Sequence, residues 1–156
     1  MEINVAAGRG RRDTEIELWL QLTVLTSRIS STLDKRLQRG HGVSVAEYTA
    51  LVVMRENAKA GGVRMQDLAE AIGLSQSTVS RLVARLESEG LATRSIGEED
   101  RRVMYAQISD QGKAVVTAAA ATFQKELTTA LDVASFDEQT APLVARLRHN
   151  PASAEN

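Results

Sequence analysis

The sequence contains no cysteine. That excludes disulfides, a thiol nucleophile and thiol-based redox sensing. Prolines number two and aromatic residues make up 3% of the chain, so the core must be aliphatic rather than built on rings. The two histidines, His41 and His149, lie far apart, and no His/Glu/Asp cluster has the spacing of metal ligands. No metal or cofactor is expected. No Ser/His/Asp spacing, phosphate-binding glycine loop or metal-ligand motif occurs, so the chain does not read as an enzyme. A small hydrolase would require a histidine-containing pocket, which nothing here predicts. No apolar run approaches a membrane span, and the opening "MEINVAAGRGRR" lacks the apolar centre of a signal peptide. A cytoplasmic location with no membrane partner is the expectation. An excess of one charge is missing too: 19 Lys and Arg face 20 Asp and Glu. Bulk charge therefore announces no nucleic-acid binder, and any such role must rest on where the charges sit.

What remains is a helix-forming mixture of Ala, Leu, Glu and Arg over 156 residues, enough for one domain. Residues 1–12 read as a flexible tail, with a minor-groove arm as the alternative, and 150–156 as a second tail. A long helix is predicted from Asp13, with Glu15 and Glu17 in its first turn, where the helix dipole favours anions. Leu18, Leu22, Leu25, Ile29, Leu33 and Leu37 recur three and four apart along it, and Gly40 is its expected stop. It is longer than a small core needs, so part of it should pack on something else. "SVAE", Ser44 to Glu47, is a capping box that opens a second helix running to about Ala58.

The informative stretch is "MQDLAEAIGLSQSTVSRLVARLESEGLATR". Met65 to Ile72 reads as a short helix, Gly73-Leu74 as a tight turn, and Ser75 as the N-cap of a helix from Gln76 to Glu89. Val79, Leu82, Val83 and Leu86 give that helix an inward stripe. Two short helices joined by such a turn are the signature of a helix-turn-helix. Leu91 to Ile96 and Val103 to Ile108 are strand candidates, and a hairpin after a helix-turn-helix is a wing. A third long helix should run from Ser109 to about Leu131. Ser135-Phe136-Asp137-Glu138 looks like another capping box, so a last helix should run toward His149. Pro142 is awkward inside it: either that helix starts later than the box implies, or it kinks.

The segments "DLAEAIGLSQSTVSRLVARLESEGLATR", "DRR" and "ISDQG", with "VSVAEYTALVVM" before them, resemble the MarR family of winged-helix transcriptional regulators. The resemblance spans Asp13 to His149. It implies a mainly α winged helix-turn-helix, with residues 13–39 and 109–149 as dimerisation helices around a DNA-reading part at 44–108. It also implies a homodimer acting on double-stranded DNA at a pseudo-palindromic operator, mostly as a repressor and often released by a small-molecule effector. The alternative is an interaction protein that keeps the fold but has lost DNA binding.

The outward side of the candidate recognition helix shows Gln76, Ser77, Ser80, Arg81 and Arg85. Short polar side chains allow close approach to a groove, while Gln76 and Arg81 can reach bases or phosphates. Serines argue against a plain solvated face, which would favour Glu, Lys or Ala. At the wing tip stand Asp100, Arg101 and Arg102, the family's D-x-R pattern. By that pattern Arg102 enters a minor groove, where A·T-rich sequence concentrates negative potential. Arg101 then meets a phosphate, and Asp100 is expected to brace an arginine by a charge-assisted bond. From Ser75 to Arg102 five arginines balance five acids, so affinity should rest on a few placed cations. For an effector the family's usual position nominates Trp19, His41, Tyr48 and Met54. Taken singly, Trp19 and Tyr48 read as core or interface residues and His41 as a loop histidine.

Overall fold

A computed structural model describes residues 11–149, with side chains from Thr14 onward. The remainder of both predicted tails lies outside the described residues, but Arg11 and Arg12 already belong to the first helix, α1 (Arg11–His41). That helix also runs past its expected stop. Gly42, not Gly40, takes the left-handed conformation that closes it, with φ 71° and its N–H donating to the Gln38 carbonyl. The next helix, α2 (Val45–Glu56), has the predicted capping box: Glu47 N–H donates to Ser44 Oγ at 3.1 Å and Ser44 N–H to Glu47 Oε2 at 2.8 Å. A single 3₁₀ turn, Ala58–Ala60, follows.

The helix-turn-helix is α3 (Met65–Ile72) and α4 (Gln76–Ser88), joined through Gly73. A strand that the sequence did not suggest, β1 (Val63–Arg64), precedes α3. The wing is β2 (Ala92–Ile96) and β3 (Met104–Ile108). The sheet is antiparallel in the order β1-β3-β2, with Val63 opposite Ala106 and Ser95 opposite Tyr105. The last long helix, α5 (Asp110–Ser135), extends past Leu131 and includes Ser135. Ser135 therefore caps nothing. Asp137 instead folds the chain back, accepting N–H bonds from Gln139, Thr140 and Ala141. The final helix, α6 (Ala141–Arg148), then starts late enough to hold Pro142 in its first turn. There the missing N–H costs no intrahelical bond.

The chain divides into two units, and α1 and α5 contribute to both. Residues 33–125 enclose one continuous core of Leu37, Leu51, Met54, Leu68, Val79, Val83, Leu86 and Val116, with alanines and smaller contributions around them. Tyr48 stacks on Phe123 at its edge, ring centroids 4.8 Å apart. Residues 11–32 and 126–149 bury far less: Leu25, Ala134 and Val144, with Ile29, Leu131 and Leu143 against them. Ion pairs of 2.6 Å each tie Arg28 on α1 to Asp137 in the turn between α5 and α6, and Arg148 on α6 to Asp132 on α5.

Candidate nucleic-acid interface

The α4 helix begins with the predicted cap. Ser75 Oγ accepts the Thr78 N–H at 3.2 Å, and hydroxyl contacts link it to Thr78 Oγ1 at 2.8 Å and Ser77 Oγ at 3.2 Å. Val79, Val83 and Leu86 face the core, which leaves Gln76, Ser77, Ser80 and Arg81 exposed along the N-terminal half of the opposite side. These four are brought together on one face, as the spacing predicts.

Arg85 departs from that expectation. Its Nε lies 3.2 Å from Glu47 Oε1 and 3.2 Å from Glu89 Oε1, so its guanidinium is engaged within the protein. The bond to Glu89 and the nearby Glu47 charge raise its pKa further above the ordinary arginine value. Arg94 is held as well. Its Nη2 pairs with Glu87 Oε2 at 2.7 Å, and its backbone N–H donates to Glu87 Oε1 at 3.2 Å. Glu87 thus clips the end of α4 to the first wing strand, and the Arg94 bond holds its carboxyl below the usual glutamate range.

The wing tip closes through two backbone bonds, Gly97 N–H to the Val103 carbonyl at 2.8 Å and Val103 N–H to the Asp100 carbonyl at 3.0 Å. Gly97 has no room for a side chain: a Cβ there would stand 2.9 Å from the Asp100 carbonyl oxygen and 3.1 Å from the Tyr105 ring. Asp100 braces the tip differently from the expectation. Its carboxylate accepts the Arg102 backbone N–H at 2.9 Å rather than gripping a guanidinium. The reason is local: an aspartate reaches the N–H two residues on without straightening the chain. Arg101 and Arg102 are consequently free and exposed. Among the described residues neither has an ion-pair partner, and the same is true of Arg81. Arg64, not singled out in the sequence, stands on β1 opposite Tyr105 on β3, its Nε 3.4 Å from the Tyr105 hydroxyl.

The residues nominated for an effector fare less well. Met54 is fully buried and Tyr48 nearly so, both as core side chains. Both belong to the core of the winged helix. The His41 Nε2 is 2.9 Å from Thr122 Oγ1, which ties the end of α1 to α5. Trp19 belongs to the other unit and is 67% exposed. A cleft of about 360 Å³ does open in the winged helix, lined by Asn57, Val63, Arg64, Asp67 and Tyr105 among others, and it contains none of the four.

A capped helix-turn-helix followed by a two-stranded wing with free arginines at its tip defines a winged helix-turn-helix protein. Residues 41–103 match the model of the MarR family. The chain's relatives are transcriptional regulators. YfiV, an HTH-type transcriptional regulator of Bacillus subtilis (strain 168), is 28% identical over 81% of this chain and 77% of its own length. PecS, an HTH-type transcriptional regulator of Dickeya dadantii (strain 3937), is also 28% identical, over 68% of this chain and 65% of its own, just under two thirds. Among solved structures, Sco3205 of Streptomyces coelicolor, a MarR family transcriptional regulator captured in complex with DNA, superposes with a TM-score of 0.72. It is 26% identical, with 92% of this chain and 89% of that one covered. No helix among the described residues is long and apolar enough to cross a membrane.

Proposed function

We propose that two copies of this chain bind a pseudo-palindromic duplex site and repress transcription from it. One observation carries the reading. Of the arginines on α4 and the wing, Arg85 and Arg94 are consumed by carboxylates, while Arg81 stands without an ion-pair partner on the face of Gln76, Ser77 and Ser80, and Arg101 and Arg102 do so at the wing tip. A free, exposed guanidinium at a hairpin tip, in a chain that also presents a polar helix face, suits a groove and the phosphates that flank it. In this reading Gln76, Ser77, Ser80 and Arg81 enter the major groove, Arg102 the minor groove, and Arg101 meets a phosphate. Asp100 serves by shaping the turn. The DNA complex of Sco3205 supports the assignment by likeness.

The homodimer is supported by what the smaller unit leaves uncovered. Ile16, Leu18, Trp19, Leu20 and Leu22 are all exposed on the first half of α1. Apolar surface of that extent on a soluble chain marks a contact with another molecule, and a second copy supplies a matching surface by symmetry. A repressor of this kind is released by a small molecule only if the molecule favours one separation of the two reading helices over another.

A second reading, an interaction protein without DNA binding, draws on Ile96 and Met104. They face each other across the wing strands and both are exposed. A gel-shift against fragments of the protein's own upstream region separates the two. A discrete complex that weakens as salt rises supports the regulator. No shift at low salt with any fragment would leave the interaction protein standing.

A further inference from the structure

The sequence groups Arg85 with the DNA-facing side chains, four residues after Arg81 on the same side of α4. The structure gives it another partner. Glu47 is 3% exposed, and one of two polar or charged side chains buried among the described residues. Its two carboxylate oxygens do different work. Oε2 accepts the Ser44 N–H and caps α2, while Oε1 lies 3.2 Å from Arg85 Nε. The start of α2 is in turn tied to α1, because Val45 N–H donates to Asp34 Oδ1 at 2.7 Å. Polar contacts therefore run from Asp34 on α1, through the cap of α2, to Arg85 in the last turn of α4, and on to Glu89.

We propose that Arg85 is a positioning residue: through the buried Glu47 carboxylate it fixes the rotation of α4 about its own axis, and so decides which base edges Gln76 and Ser80 meet. The chemistry favours this over a phosphate contact. A carboxylate withdrawn from water demands a charged or hydrogen-bonding partner on each oxygen. Arg85 is the cation that meets Oε1, and a DNA phosphate would have to compete with two carboxylates for it. The apolar stripe of α4 fixes how deep the helix sits. Arg85 Nε–H donates to Glu89 on its own helix, so its link to Glu47 is a charge contact to a second element, and it resists the small rotations that the smooth aliphatic groups of Val79, Val83 and Leu86 permit. Arg85 accordingly contributes to discrimination between sequences and little to general attraction.

This inference rests on the DNA-binding reading, and the experiment separates the two. A duplex is selected from a random-sequence library on the parent protein, and its shuffled counterpart serves as non-specific DNA. Affinities for both, and their salt dependence, are then measured for the parent, Arg85→Ala, Glu47→Gln and the double variant, each checked for folding by circular dichroism. A glutamine at 47 can still accept the Ser44 N–H, so the cap survives while the charge that holds Arg85 is gone. Positioning predicts that each single variant binds the selected duplex about tenfold more weakly, with the shuffled affinity and the salt slope unchanged. The double variant should be no worse than either single one, because both remove the same link. A phosphate contact predicts the opposite pattern. Arg85→Ala would then weaken both duplexes equally and lower the salt slope by about one, and Glu47→Gln would leave binding intact. That result overturns the proposal while preserving DNA binding. If Arg85→Ala does not fold, Glu47→Gln decides alone: parent-like discrimination overturns the proposal. A parent that enriches no duplex overturns the DNA-binding reading itself, and this inference with it.

Discussion

The two units dispose of their apolar side chains in different ways. Residues 33–125 close a core in which Leu37, Leu51, Met54, Leu68, Val79, Val83 and Leu86 are all essentially inaccessible. Residues 11–32 and 126–149 bury three apolar side chains and expose eight large apolar ones: Ile16, Leu18, Trp19, Leu20, Leu22, Val133, Phe136 and Leu147. The wing contributes the remaining exposed pair, Ile96 and Met104. Burial drives folding roughly in proportion to the apolar area removed from water. One unit is thus complete within a single chain, and the other has the composition of half a core. The difference teaches that the first unit is held by its own packing, while the second leaves apolar surface that the proposed dimer would cover.

The largest expected effect breaks the first half of that contrast. Leu86→Ala empties a fully enclosed site between α4 and the rest of the core, and should cost about 2–5 kcal/mol. In urea unfolding the loss should be the same at every protein concentration. The second half is tested by Trp19→Glu with Leu20→Glu. These side chains touch little within the chain, so helix content at low concentration should hold. Sedimentation velocity should show a single monomeric species, and the concentration dependence of the parent's unfolding midpoint should vanish. A dimer that survives both charges would place the interface elsewhere.

Function sharpens the comparison further. Arg102→Ala removes an unpaired surface cation and leaves the turn intact, since Asp100 holds the backbone N–H of residue 102 whatever its side chain. DNA affinity should fall by about 1–3 kcal/mol with no change in the melting temperature. Asp100→Ala reverses the logic: both arginines remain but the turn loosens, and affinity should drop by a smaller factor.

The helix-turn-helix was legible because its signals are local. The Ser44–Glu47 box, the Ser75 cap and the Val79–Val83–Leu86 stripe each fall within one or two helical turns. Other features are set at a distance. The strand β1 is two residues long, too short for an alternating pattern, and exists because β3 lies alongside it. Ser135 to Glu138 satisfies the letter of a capping box, yet α5 continues through Ser135 and Asp137 takes over the turn. At the site, Gln76, Ser77, Ser80, Arg81, Arg101 and Arg102 were visible as a group. Spacing could not reveal that Arg85 and Arg94 are claimed by Glu47 and Glu87, because those pairs cross from one element to another. Charge counting treated five arginines as equivalent, and partner geometry divides them into two kinds.

The smallest effect concerns that division. Glu87 has its folded pKa depressed by Arg94, so its contribution to stability is present above the ordinary glutamate value and is lost as acid takes the solution below it. Glu87→Gln should therefore lower stability slightly at neutral pH, with the difference from the parent shrinking as acid protonates Glu87, so that the variant's acid limb is flatter. An acid limb identical to the parent's would mean that the Glu87–Arg94 clip carries no free energy. The pair is largely solvent-facing, which keeps the expected change modest.

The central claim is that an incomplete carrier pairs with itself to present two complete reading heads to one duplex. Its most direct measurement is the stoichiometry of the purified chain on its selected duplex by sedimentation velocity, at a protein concentration well above the dissociation constant. Two chains per duplex, added together with no single-chain intermediate, is the predicted result. One chain per duplex, or a chain that stays monomeric and binds none, would contradict it.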